Sequence, residues 1–211
     1  MVSAAEWFRI VKAYSTTIWP TQIVLYIAAV LVTGWFLLKH DRASNIIMKL
    51  YFVIAFAWNG IMWFFVFAKD MAGDSYGNYF FGAVFMVVSV LFAVDIFRQK
   101  TPFVIPADGW QKRVTLTLML LVFCYPLLGV VLGHDSSRLM YPGTYPCPTT
   151  ALAIVLLTAA TPQVDKVVFF LLLFLAIPFT PFIQILRYGV YEDVILFVSG
   201  VYGLIFYLRV R

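Results

Sequence analysis

A cysteine held between two prolines is the first candidate for chemistry in this sequence. Residues 143–150 read GTYPCPTT, and an apolar run follows them. Pro148 pushes the residue before it out of helical geometry, and proline suits the first position of a helix. The sequence therefore predicts Cys147 as the N-cap of a short helix that begins with Thr149 and Thr150 in its first turn. A thiol there faces unpaired N–H groups, which favour thiolate and bound anions; the alternative is a rigid turn with an inert cysteine.

A histidine and an acid, His134 and Asp135, end the preceding apolar segment and share a predicted loop with Cys147. Asp135 could orient the imidazole ring so that it activates the thiol. His134, Met140 and Cys147 could also bind a soft metal ion, but their spacing matches no established ligand pattern. We therefore predict no metal site, and the sequence leaves open whether the protein binds a cofactor. A histidine bonded to a loop carbonyl is the simpler interpretation.

Polar residues inside apolar segments are the remaining candidates, because such groups are costly in lipid. Asn59 lies in the middle of one segment, Gln184 lies late in another, and Glu192 opens the last one beside Asp193. A hydrogen bond between helices explains Asn59 as well as a ligand contact does. The two acids suit the start of a helix and could also meet Arg187 across a short turn.

The elements that must position these residues are membrane-spanning helices. Of the 211 residues, 63% are hydrophobic and 12% are charged, about half the charged fraction of a soluble domain. The apolar residues fall into blocks of spanning length. Two cysteines are too few for a disulfide framework, and no basic run of nucleic-acid-binding type occurs. The composition indicates an all-α integral membrane protein whose main partner is the lipid bilayer.

The hydropathy pattern predicts a bundle of seven transmembrane helices, one of them short or broken, in a single domain over residues 1–211. The predicted spans are about 18–38, 46–67, 77–97, 113–132, 149–160, 164–186 and 190–208. Pro20 is expected in the first turn of its span, and Pro126, Pro178 and Pro181 are expected to break theirs. Asp95 and Arg98, three residues apart, are expected to pair. Ser199, Gly200 and Gly203 indicate close helix packing.

The first 16 residues form a predicted amphipathic segment. Trp7, Val11 and Tyr14 follow helical spacing, while Glu6 and Arg9 take the opposite face. This pattern is typical of a short helix that lies in the membrane interface. No cleavable signal peptide is evident, so the first span is expected to direct insertion.

Four stretches carry a resemblance to a known family: WPTQIVLY, YPLLGVVLGH, PCPTT and YGVYEDVILFVSGVYGL. They resemble a family of bacterial integral membrane proteins that is defined only as a domain of unknown function. The resemblance covers most of the chain, and it implies a protein of the bacterial inner membrane. It implies no activity, substrate or catalytic residue.

Three function classes fit these observations. The first is a channel or transporter for a small solute or ion, with a polar cavity at the start of the 149–160 helix that Cys147, Thr149, Thr150, His134 and Asn59 would face. The second is a membrane-embedded enzyme or redox protein that uses Cys147 and His134. The third is a non-catalytic subunit of a membrane complex or a homo-oligomer. We expect transport, because broken helices are typical of transport sites, and an enzyme is the less favoured alternative.

The orientation in the membrane is a testable prediction. With seven crossings, ten Lys and Arg residues fall on the C-terminal side and five on the other side; without the 149–160 crossing the split is eight to seven. The positive-inside rule then places the C-terminus in the cytoplasm and the N-terminus outside. A reporter that is active only in the cytoplasm should be active when fused after Arg211. An active periplasmic phosphatase at that position would contradict the topology.

Overall fold

The computed structural model describes residues 3–69, 75–107 and 109–210, and within them the chain is all-α. Met1 and Val2 of the predicted amphipathic segment, and the C-terminal Arg211, lie outside these residues. Eight helices make up the described part of the chain. Their bounds are α1 Ala4–Lys39, α2 Arg42–Phe67, α3 Ser75–Arg98, α4 Gly109–Phe123, α5 Tyr125–Val131, α6 Pro146–Ala159, α7 Lys166–Ile185 and α8 Val194–Val210.

The lengths of the helices match the predicted spans in most places. Among the described residues, five helices are long and apolar enough to cross a membrane: α1, α2, α3, α7 and α8 with its preceding turn. Helices α4 and α5 form a sixth span if they are taken as one segment, bent by 62°. The predicted break at Pro126 is confirmed, because this proline occupies the first turn of α5, where it cannot continue the hydrogen bonds of α4.

Helix α1 differs from the prediction of two separate segments at the N-terminus. It runs without interruption through 36 residues, about 54 Å, which exceeds the ~30 Å hydrocarbon core. Pro20 lies inside this helix, not in its first turn. The face formed by Trp7, Val11 and Tyr14 is buried in the protein, so packing against other helices extends α1 beyond the first span.

Two helices change their hydrogen-bonding pattern partway along. Helix α2 continues from Trp58 as π-helix over Asn59–Phe67, and α7 does so over Leu175–Ile185, which includes Pro178 and Pro181. The wider π turns often mark functional positions in helices. Both π segments lie at the same end of the bundle, near the start of α6.

At the other end of the bundle a buried ion pair joins α2 to α3. Lys49 Nζ lies 2.9 Å from Asp95 Oδ2, and the lysine is fully buried. Asp95 Oδ1 also accepts the backbone N–H of Lys100, at 2.8 Å. The expected Asp95–Arg98 pair is therefore wrong: Asp95 faces the interior of the bundle, where Lys49 is available, and Arg98 is exposed.

Helix α6 is the central element of the bundle. It contacts α2, α4, α7 and α8, and every residue in it except the half-buried Cys147 is buried. Its 14 residues extend about 21 Å. A helix that is apolar on all sides is stable only when it is surrounded, and here protein surrounds it. The short predicted segment at 149–160 is therefore a core helix.

The small residues of α8 allow this helix to approach α6 and α7 closely, as predicted. A Cβ at Gly203 would lie 2.8 Å from Thr158 Oγ1 on α6, and a Cβ at Gly200 would lie 2.8 Å from Ala176 Cβ on α7. Both distances are too short for a real carbon contact.

Adding one methyl group at this contact should destabilise the protein. Gly203→Ala is expected to lower the free energy of unfolding by about 1–3 kcal/mol, because overpacking forces the neighbouring side chains to move. Gly34→Ala is the matched control, since nothing lies within 4 Å of its Cβ, and alanine favours a helix. Thermal unfolding of the purified variants in the same detergent measures the stability of each. Equal midpoints for the two variants would contradict the close contact.

Candidate functional site

The segment Leu139–Tyr145, which precedes α6, enters the interior of the bundle without regular secondary structure. Side chains from α1 and α2 satisfy its backbone. Gln22 Nε2 donates to Leu139 O at 3.1 Å, Tyr14 Oη donates to Thr144 O at 2.7 Å, and Asn59 Nδ2 donates to Gly143 O at 3.0 Å. Irregular backbone at membrane depth is tolerated only where protein or water supplies such partners.

The tip of this segment is Gly143. Its φ of 100° is a conformation that side chains other than glycine rarely adopt. A Cβ at this position would lie 2.8 Å from Tyr51 Oη and 3.0 Å from Leu25 Cβ. The segment therefore passes between α1 and α2, and only glycine fits there.

Two of the predicted site residues serve this segment and do not face a cavity. Asn59 is fully buried and bonds both Ala55 O and Gly143 O. Thr149 Oγ1 donates to Tyr145 O at 2.6 Å and accepts the Gly143 N–H at 2.8 Å. Both residues were expected to line a cavity, and neither is among those that line the cavity described below. Backbone groups engage the Thr149 hydroxyl and the Asn59 amide nitrogen, whereas Asn59 Oδ1 is buried without a partner.

Helix α6 begins earlier than predicted. Tyr145 is the N-cap in extended geometry, with φ −110° and ψ 140°, and Pro146 is the first helical residue. Cys147 is therefore inside the first turn and is not the N-cap. Both prolines fit this turn, because the N–H groups that they lack would have no partner within the helix.

A half-enclosed cavity of about 200 Å³ lies beside the start of α6. Its walls come from α1, the π segments of α2 and α7, and the first turns of α3. Aromatic rings dominate, among them Trp7, Trp63, Phe81, Tyr145, Phe179 and Tyr188. The rings support each other: Trp7 stacks on Tyr188 with ring centroids 5.5 Å apart. Among the described residues that line this aromatic cavity, none is charged.

The cavity includes three of the predicted site residues. Cys147 and Thr150 from α6 and Gln184 from α7 line it. A cavity therefore lies beside the start of α6, with α7 as one wall, but its lining is mainly aromatic where a polar lining was predicted, and it does not include His134. It is more aromatic than the sequence indicated, since Trp7 and Tyr188 come from segments that were not assigned to it.

A group of buried acids lies behind Cys147, where α5, α6 and the turn Tyr191–Asp193 meet. We call Tyr125, His134, Cys147, Glu192 and Asp193 the acid cluster. His134 Nδ1 lies 3.2 Å from Glu192 Oε1, and Tyr125 Oη donates to Asp193 Oδ1 at 3.2 Å. The Cys147 thiol lies beside the Asp193 carboxyl, and Asp193 Oδ2 has no hydrogen-bond partner.

The acid cluster changes the predicted partners of its members. Glu192 pairs with His134 and not with Arg187, whose guanidinium lies over the Tyr188 ring, 5.9 Å from its centroid. The Asp193 carboxyl lies beside the Cys147 thiol, where the sequence led us to expect His134. Tyr125 and Asp193 are far apart in the sequence and meet in the acid cluster only when the chain folds. The adjacent acids Glu192 and Asp193 were the feature of the sequence that indicated this cluster.

Asp135 lies apart from both the cavity and the acid cluster. It is exposed and caps the short turn Ser136–Arg138, accepting the Ser137 N–H at 2.9 Å. The Ser137 hydroxyl and N–H lower the pKa of this carboxyl, and Arg138 lowers it further. Asp135 is therefore a loop residue that does not orient His134.

The described residues contain no group of three or more His, Cys, Asp or Glu side chains that could hold a metal ion. Both cysteines are free thiols.

A family model described as "Family of unknown function (DUF6064)" matches residues 4–211. No curated protein and no solved structure matches the chain.

Removing the amide of Asn59 should destabilise the segment before α6. Asn59→Ala leaves the buried Gly143 carbonyl without this donor, and we expect the free energy of unfolding to fall by about 1–3 kcal/mol. Thr17→Val is the control, because the Thr17 hydroxyl bonds only Ala13 O within its own helix. Thermal unfolding in detergent compares the two. An unchanged midpoint for Asn59→Ala would show that the amide does not hold the segment.

Proposed function

We propose that this chain, which belongs to the DUF6064 family of unknown function, is a membrane transporter or channel for a small, uncharged, planar organic solute. The aromatic cavity is the observation that carries the proposal. It enters the bundle where α6 begins and where α2 and α7 are π-helical. Solute sites in transporters lie at such interruptions, where helix ends and irregular backbone meet.

The lining of the cavity indicates the class of solute. Aromatic walls with a few polar groups are typical of sites for small organic molecules. Thr150, Thr180 and Gln184 offer hydrogen bonds, and Gln184 Oε1 is buried without a partner. A charged solute would lack a counter-charge among the described lining residues, so the walls favour an uncharged molecule with a flat apolar body.

The proposed topology places this cavity at the outer face of a bacterial inner membrane. Seven crossings, with α6 as the fifth, bring the start of α1 and the starts of α6 and α8 to one end of the bundle. That end carries the cavity and has the smaller number of Lys and Arg residues. By the positive-inside rule it is the outer end.

The enzyme alternative has less support from the geometry. It required Cys147 and His134 within hydrogen-bonding reach of each other, and Asp193 is the group beside the thiol. The alternative of a complex subunit required a solid core, and the cavity interrupts the core at one end. Transport is therefore the function that the arrangement supports best.

Uptake into vesicles that contain the purified protein tests the proposal. Radiolabelled nicotinamide and uracil are suitable probes, because both are planar, polar and uncharged; glycerol is the non-planar comparison. We expect uptake of the planar probes to exceed that of protein-free vesicles, and Gln184→Trp to reduce it several-fold by filling the cavity.

Leu186→Trp is the matched control, since Leu186 follows closely on the same chain segment but is 75% exposed and lies outside the lining. It should leave uptake unchanged. Uptake equal to that of protein-free vesicles, or equal loss in both variants, would contradict a solute path through the cavity.

A further inference from the structure

We propose that Asp193 is a neutral carboxylic acid at neutral pH and is the proton-binding site of this protein, linked to the aromatic cavity through Cys147. The proposal rests on the transport function proposed above and names the ion to which transport is coupled. It rests on the excess of buried carboxyl groups over buried basic side chains in the acid cluster.

The acid cluster holds two carboxyl groups and one base. Glu192 is 4% exposed and Asp193 is fully buried. Among the described residues, the basic side chain that contacts this pair of acids is His134, through Glu192. Two adjacent carboxylates away from water repel each other, and a buried charge without a counter-charge is costly. One base can neutralise one carboxylate, so the other carboxyl group must carry a proton.

The partners of the two acids decide which one is protonated. Glu192 has the imidazole of His134 at 3.2 Å, and the His134 side chain is 13% exposed. Asp193 has only neutral neighbours besides Glu192, namely the Tyr125 hydroxyl and the Cys147 thiol. The negative charge is therefore more stable on Glu192, and the proton belongs on Asp193.

Unpartnered oxygen atoms provide a second, independent observation. Asp193 Oδ2 and Glu192 Oε2 are both buried without a hydrogen-bond partner. A carboxylate oxygen buried in this way is among the most costly polar groups, whereas a proton on Asp193 Oδ2 removes its charge. The other charged groups of this region are engaged elsewhere: Arg187 lies over Tyr188, and Arg138 pairs with Asp135.

Cys147 connects this proton site to the cavity, since its side chain borders both. When Asp193 releases its proton to water in the cavity, the carboxylate can accept hydrogen bonds from the Tyr125 hydroxyl and the Cys147 thiol. Release breaks the Asp193 O–H bond and turns a water molecule into hydronium; the reverse step moves a proton from hydronium to the carboxylate, re-forms the O–H bond and leaves water. A solute in the cavity would contact Cys147 and thereby change the stability of the two forms of Asp193.

Infrared spectroscopy of the full-length protein in vesicles tests the protonation. The C=O stretch of a protonated carboxylic acid is separated from the carboxylate bands and shifts in D₂O. We expect this band at neutral pH in the wild type, its loss in Asp193→Asn, and its retention in the matched variant Asp135→Asn, since Asp135 is exposed and lies outside the acid cluster. Glu192→Gln leaves one acid for one base and should weaken the band. Aspartate labelled with ¹³C at the side-chain carboxyl should shift the band in the wild type, so the assignment does not depend on a variant that folds.

The link to the cavity has its own readout. Methyl methanethiosulfonate, applied to a Cys124→Ser background, places a methylthio group on Cys147, and we expect the Asp193 band to shift as its thiol neighbour is lost. Absence of the band at neutral pH, or a band that ¹³C-aspartate does not shift, would overturn the proton site. A band that Cys147 modification leaves unchanged would overturn the link.

Failure of the proton site can be distinguished from failure of the proposed transport. A labelled Asp193 band together with no uptake of any probe leaves the proton site in place and removes transport. Uptake of nicotinamide without an Asp193 band leaves transport in place and removes the proton site. Uptake that ignores an imposed pH gradient, with the band present, removes the coupling between them.

Discussion

The hydrogen bonds that satisfy the backbone of Leu139–Tyr145 are the interaction on which the rest of this structure depends. In the interior of an apolar bundle, each unpaired carbonyl or N–H group costs free energy. Side chains of α1 and α2 meet this requirement, with Tyr14 and Asn59 as the principal donors. These hydrogen bonds also explain why α1 is longer than a membrane span, because its first turns cover the buried segment.

The position of α6 follows from this segment. Leu139–Tyr145 enters the bundle before α6 begins. Helix α6 therefore starts inside the bundle and needs fewer residues than its neighbours. The space left above its first turn is the aromatic cavity, bordered by Pro146, Cys147 and Thr150. The two prolines hold that turn in place without leaving N–H groups unpaired. The buried segment Leu139–Tyr145 thus produces the cavity that we interpret as a solute site.

The buried charges at the two ends of the bundle differ in a way that bears on function. Lys49 and Asp95 form a matched pair with backbone N–H groups in support, an arrangement that holds α2 to α3. Of the two acids Glu192 and Asp193, only Glu192 pairs with His134, and each acid has one buried oxygen without a partner. A protein retains an incompletely paired site of this kind at a cost in stability, and that cost is consistent with use of the acids in binding a proton.

The sequence by itself determined the all-α class, most of the helices, the bend at Pro126 and the packing role of Gly203, because composition, proline geometry and helical spacing act locally. It also singled out Cys147, Thr150 and Gln184 as candidates. The tertiary structure alone decided that Asn59 and Thr149 serve the backbone, that α1 is continuous, and that Cys147 meets Asp193. Those outcomes depend on contacts between residues far apart in the chain. The arrangement of helices around α6 creates these contacts, and no local sequence pattern encodes that arrangement.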